Sequence, residues 1–183
     1  MVILLNPELR CITEMNGDQY SLLKFKTYFK MKNFDLHNIA EIKLIYLSKV
    51  RASDRPKITC SRDAYDLLLS MWDTGTIEHV EEFKILLLNR ANSVLGLFPI
   101  SKGGISGTVT DVRVVLQAAI KANASGLIVA HNHPSGNLNP SDSDSRITQK
   151  IKEAGTIMDI QLLDHIIIAP EEGYYSFADN GCL

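Results

Sequence analysis

Two histidines separated by one residue, His131 and His133, are the residues of this 183-residue chain best suited to chemistry. They close an apolar run, GLIVA at residues 126–130, whose length and composition are typical of a β-strand buried on both faces. Because side chains of a strand return to the same face at every second residue, both imidazoles are predicted to leave one face. Two imidazoles placed in this way can bind one metal ion.

A carboxylate follows the two histidines beyond a turn. Asp144 comes after a segment rich in glycine, proline and asparagine, within PSDSD at residues 140–144, which is typical of the start of a helix. Two imidazoles and a carboxylate form a donor set that suits Zn²⁺, and three protein ligands leave a fourth position for water. The spacing therefore predicts an open zinc site of the catalytic type.

Each of these residues also has a structural interpretation. Ser141 and Asp144 have the spacing of a capping box, and Asp144 would then serve only the start of a helix. A single histidine at the end of a strand is usually a partly exposed polar residue. The hydroxyls of Ser135 and Ser141 could suggest a serine hydrolase, but no Gly-x-Ser-x-Gly elbow surrounds either serine. Two histidines on one face, followed by a carboxylate, favour the metal interpretation.

The pattern His-x-His-Pro-x-Gly at residues 131–136, followed by Ser-x-x-Asp at residues 141–144, resembles the zinc motif of the JAMM (MPN+) metalloprotease superfamily. The fuller string HNHPSG, together with DHII at residues 164–167, resembles the bacterial RadC-like branch of that superfamily. This resemblance indicates a RadC-like JAMM/MPN+ domain at residues 56–183 and an N-terminal extension at residues 1–55.

The resemblance implies a fold, a cofactor and roles for individual residues. The implied fold is α/β, a JAMM/MPN-like (cytidine-deaminase-like) mixed β-sheet flanked by helices that forms a single catalytic-type domain. The implied Zn²⁺ ligands are His131, His133 and Asp144. Ser141 is implied to donate a hydrogen bond to the developing oxyanion, and an upstream glutamate is implied to act as general acid and base. The implied reaction is zinc-dependent hydrolysis of an amide bond in a peptide or protein substrate.

Two adjacent glutamates, Glu81 and Glu82, precede a predicted strand at residues 83–89. In the two-residue repeat of a strand, Glu81 falls on the same face as Phe83 and the following apolar positions, whereas Glu82 falls on the same face as the polar Lys84. The Glu-x-Phe pattern of the superfamily also matches Glu81. An acidic run of this kind is more commonly a solvated cluster. Glu81 is the predicted general base, and Glu82 is the alternative.

The elements predicted around these residues alternate between helices and strands, which favours an α/β layer. They are a helix with Ser61 as N-cap that runs toward Trp72, strands at 83–89 and 93–100, a helix capped by Thr110 or Asp111, the strand at 126–130, a helix from Ser141 that ends at Gly155, and strands at 160–169 and 173–177. Asp164 and His165 interrupt the second-to-last strand, where a charge is costly unless it is paired. They either satisfy hydrogen bonds at a kink or orient a metal-bound histidine.

The N-terminal extension carries little information on function. Residues 20–34 interleave lysines with aromatic residues, as some nucleic-acid surfaces do, but an amphipathic helix that packs its aromatic side chains is the preferred interpretation. A half-buried strand is predicted at residues 41–47. Longer RadC-like proteins resemble helix-hairpin-helix proteins in this region, and no glycine hairpin of that kind is present here. DNA binding is therefore only weakly supported.

The overall composition is that of an ordinary soluble globular protein, with 45% hydrophobic and 22% charged residues. A net charge of −2 gives no general attraction to nucleic acid. Three cysteines without a CxxC pair, Cys11, Cys60 and Cys182, favour free thiols in a reducing compartment. The apolar residues 1–5 are too few for a signal peptide, and no run reaches the length of a membrane span. A cytoplasmic protein with no membrane association is expected.

Three functions are compatible with these observations. A zinc metalloprotease or isopeptidase is preferred, because the motif carries every position that the reaction uses. The alternative is a DNA-repair-associated or recombination-associated protein that uses the zinc fold for binding, as the RadC name suggests. A catalytically inactive scaffold ranks last, because such superfamily members lack the motif.

Overall fold

A computed structural model of the chain describes residues 50–103 and 109–183. In chain order these residues form α1 (Ser61–Ser70), β1 (Glu82–Leu88), β2 (Val94–Lys102), α2 (Val112–Lys121), β3 (Gly126–Asn132), α3 (Asp142–Ile157), β4 (Gln161–Ala169) and β5 (Gly173–Ser176), after one turn of 3-10 helix at Ala52–Asp54. The predicted helix at 20–34 and the predicted strand at 41–47 lie outside the described residues.

The strands form one five-stranded mixed sheet in the order β2-β1-β3-β4-β5. β1 is antiparallel to both β2 and β3, and β4 is antiparallel to β5. β3 and β4 are parallel and are connected through α3, as a parallel pair requires. The predicted α/β fold with a mixed sheet flanked by helices is confirmed.

Both faces of the sheet are covered, which explains the apolar runs at residues 85–88 of β1 and residues 126–130 of β3. Every residue of these two strands is buried. One face packs on α2 and α3 through a cluster that includes Phe83, Ile85, Leu127, Val129, Val115 and Ile151. The opposite face packs on α1 through a cluster that includes Leu86, Leu88, Ile128, Ala130, Leu68 and Trp72. Each fully buried aliphatic side chain contributes about 1.5–3 kcal/mol. The two central strands are therefore held rigidly between layers.

Two predicted helix boundaries differ from the structure. Cys60 is the N-cap of α1 and Ser61 is its first helical residue, and no side chain makes a capping bond there. α3 continues past Gly155 to Ile157. A Cβ atom at position 155 would collide with the carbonyl oxygen of Ile160, and the Ile160 amide donates to the Gly155 carbonyl at 2.8 Å. This glycine therefore serves the close approach of the returning chain, not the end of the helix.

No helix within residues 50–103 and 109–183 combines the length and hydropathy that crossing a bilayer requires. The two cysteines in these ranges, Cys60 and Cys182, are exposed free thiols.

Candidate metal centre

The two histidines of the motif meet at the end of β3. His131 is the second-to-last residue of β3, and His133 follows the strand directly. The two Nε2 atoms lie 2.9 Å apart, and the ring centroids are separated by 4.7 Å. His131 is only 1% exposed, whereas His133 is half-buried. Phe83, the Cα partner of His131 on β1, stacks on its ring with the planes 7° apart.

Asp144 serves the start of α3 and also faces the histidines. One oxygen, Oδ2, accepts from the backbone amide and the hydroxyl of Ser141 at 2.7 Å each, and the Asp144 amide donates to the Ser141 hydroxyl at 3.2 Å, which completes a capping box. The other oxygen, Oδ1, lies 3.3 Å from Nε2 of His131. The structural and the functional interpretation of Asp144 are therefore compatible, because the capping bonds fix the carboxylate beside the imidazoles.

The three predicted ligands converge on one point, since one donor atom from each of His131, His133 and Asp144 lies within 4.8 Å of the other two. Nδ1 of His133 contacts the carbonyl oxygen of Asn137, which can only accept a hydrogen bond. Nδ1 therefore carries a proton, so that the neutral form of His133 has its lone pair on Nε2, the atom that faces the other two residues. Two imidazoles and a carboxylate of this kind fit a borderline-soft divalent cation. Their role as metal ligands stays a prediction.

A third histidine, His165 on β4, lies behind His131. Its Nε2 atom is 2.8 Å from Nδ1 of His131, and its Nδ1 atom contacts the hydroxyl of Thr148 on α3. The Thr148 hydroxyl also contacts the backbone carbonyl of Asp144 at 2.6 Å. His165 is fully buried, with its ring stacked on Phe177 at a centroid distance of 4.8 Å. The contact between Nε2 of His165 and Nδ1 of His131 thus supports the interpretation that His165 orients His131.

Burial determines the charge of the two inner histidines. It lowers the pKa of His131 to about 4, although the carboxylate of Asp144 opposes the shift. Burial also lowers the pKa of His165 well below 6.5, and the nearby imidazoles act in the same direction. Both rings are therefore neutral at neutral pH, as metal binding by His131 requires.

Stability of the metal-free protein is expected to fall as the pH drops from 6.5 toward 4. The unfolded chain takes up protons on both histidines in this range while the folded chain does not. Lowering the pH therefore stabilises the unfolded state relative to the folded state. Each of the two contributes about 1.4 kcal/mol per pH unit. Urea unfolding across this range measures the slope, and His79→Ala, at an exposed histidine, should not change it. A flat profile would contradict the buried neutral state.

The two candidate bases take different positions around the start of β1. Glu82 is 7% exposed and forms ion pairs with Lys84 at 3.0 Å and with Lys102 at 2.8 Å. Burial alone would raise the pKa of Glu82, but hydrogen bonds from both lysines and from Thr76 lower it overall. Glu82 is therefore an ionised carboxylate already paired with two lysines. It lies on the face of the sheet where the Lys84 ammonium contacts the ring of Trp72.

Glu81 precedes β1 by one residue and is half-buried. In the two-residue repeat of the strand, Glu81 is on the same face of the sheet as Phe83, which stacks on His131. Its backbone carbonyl accepts from the Gly103 amide at 2.8 Å, which extends the β1–β2 pairing by one step. Position and alternation are consistent with the prediction of Glu81 as the base, which remains a prediction.

Asn132, between the two motif histidines, anchors the segment that leads to Glu81. Its Nδ2 atom donates to the carbonyl oxygens of Ile77 and Val80, and its Oδ1 atom accepts from the Glu82 amide at 2.7 Å. The side chain is fully buried, and both its donors and its acceptor are used. The strand that carries the histidines thereby holds the backbone on both sides of Glu81.

Asn132→Ala is expected to destabilise the protein by several kcal/mol, because two buried backbone groups and one partly buried one lose their partner, at about 1–3 kcal/mol for each buried group. Chemical unfolding followed by circular dichroism measures the loss. Asn139→Ala, on the exposed loop beyond the histidines, is the matched control and should stay within about 0.5 kcal/mol of wild type. Equal stability of both variants would show that the anchor is unimportant.

The carboxylate of Asp164 accepts hydrogen bonds from groups other than the imidazole rings. Its Oδ1 atom accepts from the amides of His165 and Ala178, and its Oδ2 atom accepts from the Ser176 hydroxyl at 2.7 Å. Of the two interpretations of the Asp164–His165 pair, the structural one fits Asp164 and the orienting one fits His165. Sequence reasoning missed Thr148 and Asn132 altogether. Asn132 offered one signal, an amide inside an apolar strand, while Thr148 on a helix offered none.

Comparison with known proteins finds a matching family and similar proteins. Residues 58–182 match the family described as RadC-like JAB domain. A UPF0758 protein of Flavobacterium johnsoniae is 50% identical over 125 residues, which are 68% of this chain and 53% of that protein. A UPF0758 protein of Porphyromonas gingivalis is 41% identical over 129 residues, which are 70% of this chain and 56% of that protein.

A third relative matches nearly the whole chain. It is a UPF0758 protein of Staphylococcus haemolyticus, 32% identical over 197 aligned positions that cover 99% of this chain and 85% of that protein. The chain spans about half the length of the first two relatives. The names of all three relatives state no activity.

Proposed function

Because this chain belongs to the family of RadC-like JAB domains and joins two imidazoles to a carboxylate at one point, we propose that it is a zinc-dependent metallohydrolase that cleaves a peptide or isopeptide amide bond. The observation that carries the proposal is the convergence of His131, His133 and Asp144. His131 is buried and His133 half-buried, so the cluster lies where the core meets the surface. A peptide could approach from the His133 side.

Zinc is favoured over the harder divalent cations because two of the three ligands are nitrogen. Ca²⁺ and Mg²⁺ prefer carboxylate, carbonyl and water oxygens, whereas Zn²⁺ takes imidazole and carboxylate together. When bound, a zinc ion supplies Lewis acidity that makes water a nucleophile near neutral pH and polarises a carbonyl oxygen. Two histidines and one acidic residue leave a coordination position for these roles.

Glu81 is proposed to move the proton. A carboxylate at this position would accept a proton from the attacking water and deliver it to the leaving amine, which makes the amine a better leaving group. The three hydrogen bonds of Asn132 fix the backbone around Glu81 relative to the histidine strand. That anchoring would limit the movement of the base between the two transfers.

Ser141 is proposed to stabilise the developing oxyanion. In the capping box its hydroxyl donates to Oδ2 of Asp144, with the two oxygens 2.7 Å apart. The backbone amide of Ser141 donates to the same oxygen, so the carboxylate keeps one capping bond if the hydroxyl turns away. Rotation of a hydroxyl group is fast, and the freed hydrogen could then be donated to the substrate oxygen.

A peptide-library screen tests the proposed function. The protein is treated with a chelator, divided, and assayed with and without added zinc for new peptide termini by mass spectrometry. We expect cleavage only in the zinc-loaded sample. Zinc-loaded protein that cleaves no peptide or isopeptide, but binds DNA with a strong dependence on salt, would favour the DNA-repair alternative.

A further inference from the structure

A continuous chain of hydrogen bonds connects the two elements that carry the predicted metal ligands. It runs from Nδ1 of His131 on β3, through both nitrogens of His165 on β4, to the hydroxyl of Thr148 on α3, and ends at the backbone carbonyl of Asp144. His131 and His165 are at most 1% exposed and Thr148 is 3% exposed. Hydrogen bonds that are shielded from water in this way are strong and directional.

The direction of the donors in this chain follows from its last member. A carbonyl oxygen can only accept, so the hydrogen of the Thr148 hydroxyl goes to Asp144. The hydroxyl oxygen then accepts from Nδ1–H of neutral His165, whose Nε2 is left with a lone pair. That lone pair accepts from Nδ1–H of His131. The remaining nitrogen of His131, Nε2, therefore has a lone pair, and it is the atom that faces His133 and Asp144.

The opposite direction would disable the ligand. If Thr148 donated to His165, each proton would shift by one position, and Nε2 of His131 would carry a hydrogen toward the predicted metal position. A protonated imidazole nitrogen cannot bind a metal ion. The Asp144 carbonyl favours the first direction, and it belongs to the same residue whose carboxylate is the third predicted ligand.

We propose that His165 and Thr148 are positioning residues that hold His131 in its metal-binding tautomer and orientation. This inference rests on the metal centre of the proposed function but not on the hydrolytic reaction. Two aromatic rings keep His165 in place, since Phe177 stacks on it and Phe83 meets it edge-on with a centroid distance of 5.7 Å. Phe83 contacts His131 as well, so one side chain supports both rings.

Zinc affinity, measured by competition with a chromogenic chelator, tests the role of the hydroxyl. Thr148→Val keeps the shape of the side chain and removes the hydroxyl, whereas Thr148→Ser keeps the hydroxyl. We expect Thr148→Val to weaken zinc binding about 10–100-fold, the usual effect of losing a group that orients a ligand. Thr148→Ser should bind zinc nearly as tightly as wild type. Urea unfolding of both metal-free variants controls for the fold.

Imidazole nitrogen NMR of the zinc-loaded wild type gives a test that needs no variant. We expect protons on Nδ1 of His131 and on Nδ1 of His165. A proton on Nε2 of His165 would overturn the inference, as would Thr148→Val protein that binds zinc like wild type, or an equal loss in Thr148→Val and Thr148→Ser. Wild-type protein that binds no zinc would overturn the metal centre itself, which separates that failure from failure of the inference.

Discussion

Glu81→Gln is expected to lower the rate of amide hydrolysis about 10²–10⁴-fold, the usual contribution of a positioned general base, while zinc remains bound. Glutamine has nearly the shape of glutamate but cannot accept a proton from water. Because Glu81 is not one of the three predicted ligands, the metal content should not change. Rates on a peptide found in the library screen, together with metal analysis of the same samples, measure both quantities.

Two neighbouring substitutions sharpen this test. Glu78→Gln removes an exposed carboxylate from the same segment and should leave the rate unchanged. Glu82→Gln weakens the ion pairs with Lys84 and Lys102 and should act mainly on stability, since a lysine left buried without its partner is costly. Full activity of Glu81→Gln would remove Glu81 from the mechanism. A rate loss confined to Glu82→Gln would assign the base to Glu82.

His131→Ala should reduce zinc from about one ion per chain to almost none. Removing a direct ligand should cost more than the roughly 10–100-fold in affinity that loss of an orienting partner costs. The imidazole is buried, and its Nε2 atom lies 2.9 Å from Nε2 of His133 and 3.3 Å from Oδ1 of Asp144, so it is central to the predicted ligand set. Metal analysis after dialysis measures the occupancy.

The same variant provides a stability measurement. Zinc that binds only the folded state should raise the melting temperature of wild type as its concentration rises, and His131→Ala should show little of this effect. His79→Ala, at an exposed histidine that is not one of the three predicted ligands, is the matched control and should behave like wild type. Zinc retained by His131→Ala would refute the ligand assignment.

Local periodicity accounts for most of what could be predicted from the sequence. The two-residue repeat of a strand places His131 and His133 on one face wherever that strand lies in the fold. The spacing of Ser141 and Asp144 predicts a capping box, and the structure has one. These features depend on backbone geometry over a few residues, and short segments of the sequence are therefore sufficient to predict them.

Alternation was less informative for the two glutamates. It placed Glu81 and Glu82 on opposite faces of the strand, but it suggested that the face with Glu82 and Lys84 is the polar face. In the structure both of these residues are buried, because the second face of the sheet is covered as well. In a sheet with two buried faces, alternation selects a face and says nothing about exposure.

The sequence by itself determined the fold class, the pair of histidines and the position of the carboxylate beyond the turn, because each follows from a short repeat or a short motif. Only the tertiary structure decided what supports them. His165 lies 34 residues from His131 and reaches it through the parallel pairing of β3 with β4, whose register shifts between Leu127 and Ile128. Asn132 meets its partners 50–55 residues away. Such contacts depend on strand order and register, which the packing of the whole domain sets and no local pattern encodes.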